Sequence, residues 1–370
     1  MKRGDAANRF KRFEHELEDQ SIDCFLVTHL PNIRYLCGFT GSSGVLAFAS
    51  GSWSFFTDGR YTEQARNEIS GATVRVNSLP ALVHAAQWLA ARMRGHRGRI
   101  RIGIEADHLT LAMESAVSEQ LARALPKSKF RLAETSMTIE RLRMRKDAEE
   151  IRQIRDAVNL ASSIFPQVIE SLRAGATENE VAGGLDHLAR LAGAEKMAFE
   201  SIVASAPRSA LPHARPTRER IGRGFVILDY GVILRGYCSD MTRTVHVGDA
   251  TKASRDLYAA VLEAQLTGIA AVRPGAAAGE VDEAARKILR KRKLDRYFTH
   301  SLGHGLGLEI HEAPRLARGQ KQILEPGMVI TIEPGVYIPG KGGVRIEDTV
   351  LVTETGHEVL TPTSKELVIR

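Results

Sequence analysis

Apolar residues recur along this chain at two spacings. Residues 9–19 place Phe10, Phe13 and Leu17 three and four apart, the period of a helix with one buried face. Residues 22–28, 45–49 and 53–57 are short apolar runs that predict strands, the last two joined by a Ser50-Gly51-Ser52 turn. Helical spacing returns over 60–68 and 80–93, and a further strand is expected at 100–104. Strands alternating with helices predict a small α/β domain with a mixed sheet, ending near residue 135. A basic connector over 136–146 follows. Asp147-Ala148-Glu149-Glu150 then has the form of a capping box, with Asp in place of Ser or Thr. Ile151, Ile154, Val158 and Ala161 line one face of a helix that reaches about residue 172, and Thr177-Glu178-Asn179-Glu180 opens another.

The region 147–370 repeats itself. Arg173-Ala174-Gly175-Ala176 with Glu180-Val181 returns as Arg273-Pro274-Gly275-Ala276 with Glu280-Val281, offset by 100 residues throughout. Each copy predicts a helix, a glycine turn and a second helix. Each is followed by β-rich sequence holding two acids, Asp229 and Asp240 in one case, Glu333 and Glu347 in the other. Two related halves about a pseudo-two-fold are the expectation, with a site on the seam taking one acid pair from each.

The acids sit where solvent does not. Leu228 precedes Asp229, Ile332 precedes Glu333 and Ile346 precedes Glu347, all in apolar strands. The midpoint of Asp229 and Asp240 falls between Leu234 and Arg235, beside Gly236, and that of Glu333 and Glu347 falls on Gly340. Two hairpins turning there would each set a pair of acids face to face, about 5 Å apart at Cβ. Residues 300–312 carry three glycines around His304, which suggests an irregular buried loop that fixes one imidazole. A buried carboxylate without a counter-charge is costly, so a cluster of them calls for cations. Four carboxylates and a neutral imidazole suit two divalent ions, manganese first, with cobalt or zinc accepted by the same donors. Such a pair activates water near neutral pH and so points to hydrolysis. His213 and His311 are placed to bond a substrate carbonyl, and Arg345 to contact substrate or orient a carboxylate.

Composition narrows the class. At 370 residues, with 43% hydrophobic and 26% charged, the chain is a globular protein of two domains. Its charge of +7 raises nucleic acid as a partner. The basic run from Arg92 to Arg101 has no interleaved aromatics and no finger spacing, so neither nucleic acid nor membrane is an expected partner. The charged start Met1-Lys2-Arg3-Gly4 is not followed by an apolar segment, and no apolar run reaches the ~18–20 residues of a membrane span. Three scattered cysteines fit a reducing, cytoplasmic compartment.

These motifs together resemble the pita-bread metallopeptidases, in the branch of Xaa-Pro aminopeptidases and Xaa-Pro dipeptidases (prolidases). The resemblance rests on Ile227-Leu228-Asp229-Tyr230-Gly231, Ser239-Asp240-Met241-Thr242-Arg243-Thr244, Gly303-His304-Gly305-Leu306-Gly307 with His311-Glu312, Ile332-Glu333-Pro334-Gly335-Val336-Tyr337, and Gly343-Val344-Arg345-Ile346-Glu347-Asp348. It covers about 145–370 strongly, and 1–135 more loosely through Asn32-Ile33-Arg34-Tyr35 and Thr57-Asp58-Gly59-Arg60-Tyr61. It implies an α/β (α+β) protein in which a small mixed N-terminal domain precedes a pseudo-two-fold pita-bread catalytic domain. It implies that Asp229 chelates one metal, Asp240 and Glu347 bridge both, and His304 and Glu333 bind the second. Glu333 would shuttle a proton, His213 and His311 would hold the carbonyl, and Arg315 would contact substrate, as Arg345 does in the residue-based reading above. A metal-bridging hydroxide would cleave the bond before a proline at the second position of a dipeptide or short peptide, in a homodimer. Methionine aminopeptidase-like activity and a catalytically silent, partner-binding relative are the alternatives.

Overall fold

The computed structural model describes residues 3–173 and 175–370. Met1 and Lys2 of the charged start, and Ala174 of the first repeat copy, lie outside the described residues. The chain divides into two compact units, Met1–Arg143 and Met144–Arg370.

The first unit is built on a six-stranded sheet in the order Thr73–Val76, Ser52–Thr57, Val45–Ala49, Cys24–Val27, Ile100–Glu105, Phe130–Thr135. Cys24–Val27 runs antiparallel to Val45–Ala49 and parallel to Ile100–Glu105, so the sheet is mixed, as expected. The outer two strands were not foreseen. Thr73–Val76 has no fully buried position and Phe130–Thr135 fully buries only its two end residues, so neither shows the continuous apolar run that marks the inner strands. Helices Ala81–Arg92 and Leu111–Ala122 cover the sheet through Ala85, Leu89, Val117 and Leu121. The basic connector carries a helix, Thr138–Met144, and the buried Arg143 donates to Asn32 Oδ1 at 2.7 Å.

The second unit is internally duplicated, the pita-bread arrangement. Helices Ala148–Ser171 and Glu178–Leu191 correspond to Lys252–Ala271 and Ala278–Lys291. Gly175 and Gly275 turn the chain in the left-handed region, with φ of 87° and 84°. The same backbone bond follows in each copy: Ile221 N–H donates to Ala176 O at 2.8 Å and Leu324 N–H to Ala276 O at 2.9 Å. Asp147 and Thr177 complete capping boxes; Ala277 has no acceptor of its own, and only Glu280 reaches back, at 3.3 Å. Each half has its own core, one around Ala161, Val181, Val226 and Leu228, the other around Ala264, Val281, Ile330 and Ile332.

The seam between halves is stitched by side chains where a ladder is missing. Strand Met241–Val247 belongs to one half and Gly342–Arg345 to the other. The Thr244 hydroxyl donates to Arg345 O at 2.8 Å and accepts from Arg345 N–H at 3.0 Å. Among the described residues no helix is long and apolar enough to cross a membrane.

His304 is not in an irregular loop. Gly303–Gly305 forms a short strand between Glu312–Leu316 and Val329–Ile332. Its glycines serve close approach rather than positive φ. A Cβ on Gly303 would lie 1.9 Å from Thr331 O, and one on Gly305 would lie 2.2 Å from Ala313 O. Backbone on both sides cannot yield, so Gly303→Ala is expected to cost at least ~1–3 kcal/mol of stability, read by urea unfolding.

Candidate metal centre

Four strand ends converge on one cavity of about 700 Å³. The first hairpin turns through Arg235 and Gly236, both at positive φ (48° and 77°), a two-residue turn of the type that matches strand twist. This fixes Asp229 opposite Thr242, so the expected opposition of Asp229 and Asp240 is corrected by one residue at the turn. Asp240 lies just outside the ladder, in the break between Tyr237–Cys238 and Met241–Val247.

The second hairpin has the expected register. Ile332 faces Asp348 and Gly335 faces Arg345, which sets Glu333 level with Glu347 about Gly340. At that level the ladder is open. Glu333 N–H instead donates to Leu302 O at 2.8 Å, beside the His304 strand, and Glu347 N–H donates to Thr242 O at 3.1 Å, beside Asp240. The acid pair is thus pinned to both other parts of the site.

Ligand atoms of Asp240, His304 and Glu347 lie within 4.8 Å of one another. His304 Nε2 is 3.6 Å from Asp240 Oδ2 and 3.5 Å from Glu333 Oε1. His304 Nδ1 lies 3.0 Å from Gly305 O, which assigns the proton to Nδ1 and turns the Nε2 lone pair to the acids. Asp229 lines the same cavity, with Oδ2 held by Arg345 Nη2. Asp229 Oδ1 and Glu347 Oε1 are buried and accept no hydrogen bond. Buried oxygens left in this state, beside a neutral imidazole nitrogen, fit a divalent cation.

The electrostatics agree. Burial pushes the Asp240 carboxyl well above its ordinary range, and Asp229 and Glu333 add repulsion. Burial does the same to Glu347, with Asp240 adding to it. Glu333 is pushed up to about 8, again by burial, against the pull of Arg345. Burial lowers His304 to about 4, so its imidazole is neutral at pH 7. The acids are an unneutralised set with too few protein cations beside them.

His213, His311, Arg315 and Arg345 line the same cavity. The His311 ring is 4.3 Å from that of His304. Arg315 faces His304 across the strand pair, so the two side chains share a face. Arg345 is buried behind Asp229; it also donates to Tyr337 Oη at 2.7 Å and to Pro212 O at 3.0 Å. That makes it a holder of Asp229 rather than a group free to bind substrate.

Other residues here escaped the sequence reading. Thr242 donates to Glu347 Oε2 at 2.8 Å, and Thr331 receives His304 N–H at 3.1 Å. Both are hydroxyls two residues from a ligand, and Thr331 lies in an otherwise apolar strand, a signal the sequence does carry. His300, bonded to Tyr337 Oη at 2.9 Å, and Phe199, Glu200 and Arg215 on the cavity wall had none.

A duplicated domain with buried acids and a neutral imidazole at its seam defines a metal-dependent hydrolase. The model of metallopeptidase family M24 matches residues 152–354, and that of the creatinase/prolidase N-terminal domain matches 9–145. The chain belongs to metallopeptidase family M24. It is 35% identical to the Xaa-Pro dipeptidase of Pyrococcus horikoshii over 97% of this chain and 98% of that one. Among solved structures, the Xaa-Pro dipeptidase from Bacillus anthracis superposes with a TM-score of 0.92 at 38% identity, covering 99% and 100% of the two chains. The X-Pro aminopeptidase from Thermotoga maritima gives 0.86 at 31% identity, covering 95% and 98%.

The raised carboxyls have a measurable consequence. A group whose folded pKa exceeds its unfolded value stabilises the fold below the unfolded value and loses that contribution as pH rises through the folded one. For Glu333 the window runs from 4.5 to about 8. The melting temperature of metal-free protein is therefore expected to fall across this window, and added Mn²⁺ to remove the fall, in a thermal-unfolding series.

Proposed function

We propose that this protein hydrolyses the Xaa-Pro bond of dipeptides, with two divalent ions, manganese for preference, held by Asp229, Asp240, His304, Glu333 and Glu347. The observation that carries the dipeptide preference is Arg315. Its guanidinium is exposed, lines the cavity on the face of His304, and makes no hydrogen bond or ion pair among the described residues. A free cation at that place suits the C-terminal carboxylate of a dipeptide, which a longer peptide does not present there. Two relatives that match over nearly the whole chain bear the name Xaa-Pro dipeptidase, which supports the same choice.

When bound, the ions supply a water made nucleophilic at neutral pH and a positive field at the carbonyl oxygen. The protein groups do the rest. Glu333, which lines the cavity beside His304 Nε2, takes the proton of the attacking water and returns it to the proline nitrogen as the C–N bond breaks. His213 and His311 donate to the carbonyl oxygen as negative charge builds on it. Arg345 holds Asp229, and Thr242 holds Glu347, so the donors stay in place between turnovers. Action as a homodimer belongs to this same reading and rests on the family resemblance, and a cytoplasmic setting rests on the three scattered cysteines.

Asp240→Ala is expected to abolish Mn²⁺-dependent release of free amino acid from a Xaa-Pro dipeptide; activity indifferent to that change and to chelator would refute the proposal. Arg315→Met is expected to raise KM for the dipeptide by roughly 10–100-fold, the loss of a ~1.5–3 kcal/mol charge-assisted contact. The same variant should leave KM for a Xaa-Pro-Yaa tripeptide nearly unchanged. Equal effects on both substrates would remove Arg315 from carboxylate recognition.

A further inference from the structure

Residues 363–370 do not line the cavity, yet they bond to both strands that carry its acids. Arg243 lies three residues after Asp240 and is 2% exposed. Its guanidinium donates to Thr242 O at 2.9 Å, Glu347 O at 2.5 Å and Asp348 Oδ1 at 2.7 Å. The same group reaches Thr363 O at 2.7 Å and Ser364 O at 3.0 Å. One buried cation therefore joins the Asp240 strand, the backbone of Glu347 and the C-terminal segment.

Asp348, adjacent to Glu347, is fully buried. Arg243 satisfies one of its oxygens; the other receives Gln265 Nε2 at 2.8 Å and Lys365 Nζ at 2.7 Å. The segment is tied down on each side of Lys365. Tyr258 Oη donates to Lys365 O at 3.0 Å, and Arg370 N–H donates to His246 O at 2.9 Å while His246 N–H donates to Val368 O at 2.9 Å. Leu367 packs on the core of the second half and Val368 on that of the first.

We propose that the C-terminal segment is a positioning element of the metal centre: through Lys365 and the carbonyls of Thr363 and Ser364 it holds Asp348 and Arg243, and they hold the backbone of Glu347 for its ion. Without Lys365 the buried Asp348 keeps the neutral donor Gln265, but its charge is met by Arg243 alone among the described residues. The Arg243 contact to Glu347 O then competes with a stronger demand, and Glu347 loses the support that fixes its carboxylate against Asp240 and His304. This inference rests on the metal site proposed above. Lys365 touches none of the metal donors, so its effect on binding is indirect and passes through Asp348.

The test is calorimetric titration of Mn²⁺ into metal-free parent, Lys365→Met and Lys365→Arg, with urea unfolding of each metal-free protein as a separate measure of the fold. Lys365→Met is expected to bind Mn²⁺ about tenfold more weakly, the loss typical of removing an outer contact, while Lys365→Arg restores binding. In an Asp348→Asn background the effect of Lys365→Met on affinity should largely vanish, because the charge it compensates is gone. Lys365→Gln takes the place of Lys365→Met if the latter does not fold. Parental affinity in the singly substituted protein overturns the proposal, and so does a loss undiminished by Asp348→Asn. Failure of the parent itself to bind Mn²⁺ would strike the metal site, not the role of the C-terminal segment.

Discussion

Mutual repulsion among buried carboxylates is the constraint from which the catalytic unit is best understood. Asp229, Asp240, Glu333 and Glu347 share one cavity, and the cation in direct contact with them, Arg345, is committed to Asp229. Burial and mutual charge lift Asp240 and Glu347 well above the usual carboxylate range. Nothing in the packing of the domain benefits from such a cluster. Its acids are tolerable only when opposite charge is brought to them, which is why the fold reads as a container for cations.

The strands are arranged to hold that container from both sides. Where the ladder between Val329–Ile332 and Asp348–Val352 ends, the backbone of Glu333 and of Glu347 turns outward to separate partners. One partner lies beside His304 and the other beside Asp240. A gap in sheet pairing is thus the place where the two halves of the domain meet. Hydroxyls of Thr244 and Thr331 take backbone bonds that a regular ladder would have made, and that of Thr242 donates to the Glu347 carboxylate. These bonds leave the carboxylates little freedom to drift apart.

Much of this was legible in the sequence because the chemistry is local. An apolar strand ending in an acid, a glycine at the midpoint between two acids, and a repeat at constant offset are all properties of short stretches. The second hairpin follows its midpoint because Gly340, at φ 74°, lies at the centre of the turn. The first misses by one residue because Arg235, not a glycine, takes a left-handed conformation beside Gly236. The glycines around His304 were correctly taken as special, since neighbouring carbonyls exclude a side chain at Gly303 and Gly305, but the stretch is a strand and not the irregular loop expected. Contacts spanning a hundred residues were beyond reach. Arg345 on Asp229 and Thr242 on Glu347 exist only once the halves have docked, and no spacing announces them.

Each unit of the chain closes its own apolar core, and every proposed metal ligand falls in the second. Cys24, Leu26, Leu89 and Val117 are spent on the first core alone. Evolution can therefore revise the leading 143 residues under a different set of pressures from those acting on the hydrolytic machinery. Changes there can accumulate while the reaction is inherited intact, because the apolar core that they touch is not the one beneath the acids.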